Sequence, residues 1–122
     1  MLITNIRLFD ATDNKLIEDA SIWIEDNLIR CAGPSKDMKD VPDNVKSING
    51  NGLFVMPGMV ESHAHISYTN NGPQELDKTP VEEAMIKTVD NARIMLGSGF
   101  TSAISFGSVH RIDVFLRDAI ND

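Results

Sequence analysis

The sequence predicts an α/β chain in two parts: an all-β module over residues 1–56, then the start of a parallel βα structure over residues 57–122. Three observations carry this. Short apolar runs divided by turn-forming residues fill the first part. The pattern breaks at Pro57-Gly58. Beyond the break come a strand, a helix, a strand and a helix, the rhythm of a parallel sheet with crossover helices.

In the first part, "LITNIRLF" is a short strand. "ASIWIEDNLIRCAG" places apolar residues on either side of "EDN", a good turn tripeptide, and so predicts a hairpin. "PSKDMKDVPDN" is a polar connector with two prolines. "VKSINGNGLFVMPG" carries a strand signal, a repeated Asn-Gly pair near position 50 and a second apolar run. The expected product is a small antiparallel sheet with one covered face. Trp23 is expected to pack on this sheet. Cys31, the single cysteine, has no partner for an internal disulfide and is expected to be a small packed residue.

In the second part, "MVESHAHI" is a short strand and "NNGPQELDKTP" a loop. Thr79-Pro80 followed by Glu82 and Glu83 predicts a helix start, with Thr79 as the N-cap. Val81, Ala84, Met85, Val89, Ala92 and Leu96 follow a 3-4 spacing, and Gly97 and Gly99 end the helix. "FTSAISFG" is the next strand, and "RIDVFLRDAIND" is a second helix reaching Asp122.

Eleven basic and eighteen acidic residues give a net charge of -7. That argues against a nucleic-acid or anionic-membrane surface, which needs a basic footprint. No apolar run approaches the ~20 residues of a membrane span, and the N-terminus lacks the pattern of a signal peptide. The expected setting is cytoplasmic.

The chemistry concentrates at His63 and His65. Residues two apart on a strand point to the same face, so the two imidazoles, with Glu61 two residues earlier, project side by side. Two neighbouring imidazoles are good donors for a divalent metal. A lone H-x-H is a weak pattern, and its context strengthens it: the end of a strand, after a Pro-Gly break, before a helix and another strand. Tyr68 and Asn70, in the loop after the strand, and Ser105, on the next strand, are candidates to line a substrate site. His110, at the start of the second helix, is expected to be solvated. No residue of the chain is nominated as the catalytic acid or base.

"FVMPGMVESHAHI" resembles the signature of the amidohydrolase superfamily: an apolar run, Pro-Gly, two apolar residues, an acid, and H-x-H. The opening "ITNIRLFDATDNKLIEDASIWIEDNLIRCAG" is similar to that family's N-terminal β-sandwich. "MLGSGFTSAISFG" is similar to its second barrel strand in the branch with imidazolonepropionase-like and prolidase-like members. The resemblance implies a β-sandwich portion followed by the first two βα units of a TIM-like (β/α)8 barrel, incomplete as a single chain. It implies His63 and His65 as ligands of a divalent metal, zinc first, in a site of one or two ions. Glu61 would orient the histidines, standing where the family usually has Asp. The implied reaction is hydrolysis of a small, often cyclic, amide or other carbon–nitrogen bond by a metal-activated water. Two departures stand out. Ile104 and Ser105 replace the branch's usual Arg-Asp, and Ser67 stands where dihydroorotase-like members carry an Arg.

A whole barrel needs ~250 residues. The expected partner is therefore a complementary chain carrying the rest of the barrel and the remaining ligands, in an oligomeric assembly. The competing expectation is a truncated, non-catalytic family member acting as a scaffold or oligomerisation module.

Overall fold

A computed structural model describes residues 1–71 and 73–121. The chain divides into two compact units, Met1–Pro57 and Gly58–Asp122. Asp122 itself, expected at the end of the second helix, lies outside the described residues, as does Gly72 in the expected loop.

The first unit is one four-stranded sheet. Its strands are β1 (Leu2–Leu8), β2 (Ile17–Glu25), β3 (Leu28–Pro34) and β4 (Ser47–Val55), in the order β3-β2-β1-β4. The predicted hairpin is β2–β3, turning at Asp26, which takes a φ of 55°. Asp tolerates this left-handed conformation better than most residues. The sheet is not purely antiparallel as expected, because β4 runs parallel to β1. The chain between them is occupied by the β2–β3 hairpin and the polar connector, so β4 re-enters beside β1 from the same end. The Asn-Gly pairs, a hairpin signal elsewhere, here lie inside a single strand. The β1–β4 register shifts between Thr4 and Ile6, opposite this stretch. Asn5 Nδ2 donates to Asn49 Oδ1 at 2.9 Å, and the same oxygen accepts the Asn51 N–H at 2.8 Å. Asn51 and Gly52 both take positive φ, 53° and 75°. The result is a bulge, held by asparagine side chains, rather than a turn.

One face of this sheet carries the core: Ile6, Leu8, Ala20 and Ile22, with Ile3, Ile17, Ile24 and Val55 packed against them. Ile6 is 1% exposed. Truncating it leaves a cavity that a four-stranded sheet cannot collapse. Ile6→Ala is expected to destabilise this unit by about 2–5 kcal/mol. Chemical denaturation followed by the fluorescence of Trp23, the one tryptophan, measures it.

The second unit is built from β5 (Met59–Ala64), a one-turn helix α1 (Pro73–Leu76), α2 (Val81–Gly97), β6 (Phe100–Ser105) and α3 (Ile112–Asn121). A 3-10 turn, Val109–Arg111, leads into α3. β5 and β6 pair in parallel through the α2 crossover, the arrangement expected from the sequence. The expected loop at 70–80 holds the short α1. Thr79 does not cap α2: its hydroxyl donates to the Glu75 carbonyl at 3.1 Å, and the Ala84 N–H bonds to the Pro80 carbonyl.

The buried side of α2 differs from the apolar stripe read from the sequence. Ala84 and Thr88 are its buried residues, whereas Val81 and Leu96 are exposed. Thr88 is 0% exposed and satisfies its hydroxyl on the Ala84 carbonyl at 2.7 Å. A threonine bonded to the carbonyl four residues back buries its methyl without an orphaned polar atom. No helix among the described residues is long and apolar enough to cross a membrane.

Candidate functional site

The parallel register sets the site. Ala64 pairs with Ser105, and the Phe106 N–H donates to the Ala64 carbonyl at 2.9 Å. His63 and His65, at the end of β5, therefore lie level with Ser105–Gly107 at the end of β6. The imidazole rings sit edge to face, with centroids 5.2 Å apart. Strand alternation brings them together as expected.

Their surroundings differ. His63 is exposed and stacks on Phe106 at 4.2 Å, with the ring planes 8° apart. His65 is half-buried and stacks on Tyr68 at 4.6 Å and 12°. His65 Nδ1 lies 3.0 Å from the Gly107 carbonyl oxygen. A carbonyl only accepts, so Nδ1 carries the proton and donates it. In the neutral imidazole Nε2 then keeps its lone pair, the form that ligates a metal. Gly107 has a φ of 127°, which a side chain would strain, so glycine is what allows its carbonyl this direction.

Glu61 meets His63 at the backbone: its Oε1 accepts the backbone N–H of His63 at 3.0 Å. It lines the same cavity of about 320 Å³ as His63, His65 and Tyr68. Ser105 lies outside that cavity and lines a groove of about 640 Å³ between β6 and α3. Its hydroxyl donates to Asp113 Oδ2 at 2.5 Å. Asn70 is exposed. His110 sits in the 3-10 turn with a φ of 55°, its Nε2 3.3 Å from the Thr79 carbonyl oxygen, away from the histidine pair.

Two residues at the site carry no sequence signal that motif reasoning uses. Asn91, on α2, donates from Nδ2 to the carbonyls of Ile66 at 2.8 Å and Tyr68 at 2.9 Å, tying down the loop after H-x-H. Asp113, in the first turn of α3, accepts from both Ser105 and Ser108. The only hint was their polarity beside apolar helical positions.

The Ser105 hydroxyl first, and the Ser108 hydroxyl second, hold the Asp113 carboxyl below its ordinary pKa of 3.8. A carboxyl lowered in the folded state stabilises the fold above its unfolded pKa and loses that contribution as pH falls through the folded value. The contribution is complete at neutrality and disappears only below about pH 3.8. Asp113→Asn is expected to remove this part of the acid dependence, which an acid titration followed by circular dichroism will register.

Two imidazoles suit a divalent ion, and the free Nε2 of His65 fits that use. Two donors fall short of the three or four that a zinc site takes. Among the described residues no group of three or more His, Cys, Asp or Glu side chains is placed to hold a metal. The pair therefore fits part of a metal cage and not a whole one.

No family profile matches the chain. It is 39% identical over 80 residues to an imidazolonepropionase of Picrophilus torridus, covering 62% of this chain and 19% of that protein. It is 32% identical over 111 residues to an enamidase of Eubacterium barkeri, covering 89% of this chain and 26% of that protein. Among solved structures, an amidohydrolase matches with a TM-score of 0.75 and 27% identity, over 87% of this chain and 25% of that one. The chain thus spans about a quarter or less of the length of these relatives.

Proposed function

Because the chain belongs to the amidohydrolase superfamily, matching the amino-terminal portion of its relatives, we propose that it supplies the first part of a metal-dependent hydrolase site acting on a carbon–nitrogen bond. The substrate class is a small amide, often cyclic. The observation that carries this is the His63–His65 pair at the end of β5, with His65 donating Nδ1–H to Gly107 and keeping Nε2 free.

In this reading His63 and His65 hold a divalent ion, zinc first, together with ligands outside the described residues. Imidazole also suits iron, nickel and copper. When bound, the ion supplies Lewis acidity and a more acidic water. The chain's own residues hold the geometry. Glu61 fixes the backbone at His63, Tyr68 and Phe106 flank the two rings, and the cavity beside them offers room for part of a small substrate. The remaining barrel strands come from a complementary segment, in an assembly suited to the cytoplasm, where the free thiol of Cys31 stays reduced.

Native mass spectrometry with metal analysis, on protein purified untrimmed from its source, tests the proposal. A heavier species containing the complementary barrel segment and one or two divalent ions is expected. A lone 13.5 kDa chain, or a homo-oligomer without metal, overturns it and favours a scaffold role.

A further inference from the structure

His65 is gripped from two directions by residues that touch neither it nor its ring nitrogens. From the β6 side, Asp113 accepts the hydroxyls of Ser105 and Ser108, and the Asp113 N–H returns to Ser108 Oγ at 3.2 Å. The two serines bracket Gly107, whose N–H also points to Ser105 Oγ at 3.4 Å. The carboxylate thus closes a loop around the carbonyl that receives His65 Nδ1–H. From the β5 side, the Asn91 amide holds the carbonyls on either side of Ser67, fixing the backbone of Tyr68, whose ring stacks on His65. The buried Ser67 joins the two halves: its Oγ accepts the Val109 N–H at 3.0 Å. The ring nitrogens of His63 have no such hydrogen bond among the described residues: the ring stacks on Phe106, and Glu61 holds only the backbone N–H.

We propose that Asp113 and Asn91 are positioning residues that hold His65 in the Nδ1–H tautomer and in one ring orientation, so that Nε2 is presented as a ligand before any ion arrives. The inference rests on the metal reading above for its purpose, but its physical content, a locked tautomer in the metal-free chain, stands apart from it. Asp113 acts through the serine hydroxyls and the Gly107 carbonyl. Asn91 acts through the loop and the Tyr68 ring. Each works on a different atom set, so removing either should weaken the lock and removing both should release it.

The test is nitrogen-15 NMR of the imidazoles in the full, metal-free chain, at a pH well above the ordinary imidazole range. The wild type is expected to show His65 as a single Nδ1–H tautomer and His63 as a mixture. Asp113→Asn and Asn91→Leu are each expected to turn His65 into a mixture, and Asp113→Glu, which keeps a carboxylate, to restore part of the bias. Zinc(II) affinity, measured by titration on the assembled protein carrying each variant, is expected to fall about 10–100-fold in Asp113→Asn and Asn91→Leu. A wild-type His65 that is Nε2–H or mixed overturns the proposal, whether or not the variants fold. So does a tautomer unchanged in both folded variants. A locked wild-type tautomer released by both variants, with no zinc bound by any of the assembled proteins, leaves the positioning network standing and removes the metal reading instead.

Discussion

His65→Ala is expected to abolish metal capture by the assembled protein, and His63→Ala to do the same, while residues 1–57 stay folded. Each loss takes one of this chain's two donors from a site that needs three or four, and a site short of a donor holds a divalent ion poorly. The loss in metal affinity should exceed the 10–100-fold that follows removal of a ligand's supporting partner. The two variants should differ in their side effects. His65 is half-buried between Tyr68 and the Gly107 carbonyl, so His65→Ala strips the loop of a hydrogen bond and a stacked ring. His63 is exposed on Phe106, so His63→Ala should cost the fold little. The core around Ile6 lies in the other unit, and the Trp23 denaturation curve should not move in either variant. Metal content measured on the purified assembly decides the matter: unchanged content in both variants sinks the assignment of this pair as ligands.

What the sequence made legible, and what it hid, follows from the range of the interactions involved. The β2–β3 hairpin and the β5–α2–β6 crossover are local: turn residues, a period of two, and then a 3-4 spacing announce them. The pairing of two histidines is local too, because alternation along one strand guarantees it. The direction of β4 against β1 is not, since it depends on contacts across more than forty residues, and nothing in either strand encodes whether its neighbour runs up or down. The Asn-Gly pairs are ambiguous for a related reason. The same left-handed residues that turn a hairpin also make a bulge, and only the partner strand decides which. Thr88 was invisible to hydropathy because its polarity is cancelled by its own helix. Asn91 and Asp113 were invisible because their value lies in what they hold, for Asn91 carbonyls more than twenty residues away and for Asp113 hydroxyls across the turn between β6 and α3, rather than in their own chemistry.

The second large effect concerns the surface beyond β6. Ile104→Glu combined with Ile120→Glu is expected to abolish association with the proposed complementary segment. Parallel sheets are stable when both faces are covered and several strands share the ladder, yet among the described residues this unit pairs only two, β5 and β6. Ile104 on β6 is 53% exposed, and Phe115 and Ile120 on α3 are 65% and 68% exposed. The groove between β6 and α3 is lined by Ile104 and Ile120 together with Ala64, Val114 and Leu116, the apolar wall against which a next strand and helix would lie. A glutamate at each position puts two carboxylates into that contact, and burying an unpaired carboxylate costs several kcal/mol. Neither side chain supports the present fold, because both already face solvent. The double variant should therefore keep the circular dichroism of the parent and the locked tautomer of His65 while losing the heavier species in native mass spectrometry. Retention of that species would mean that the complementary segment meets the chain through another surface. Its loss together with the metal would tie the completion of the sheet to the completion of the cage, since two imidazoles alone do not keep an ion that three or four ligands hold.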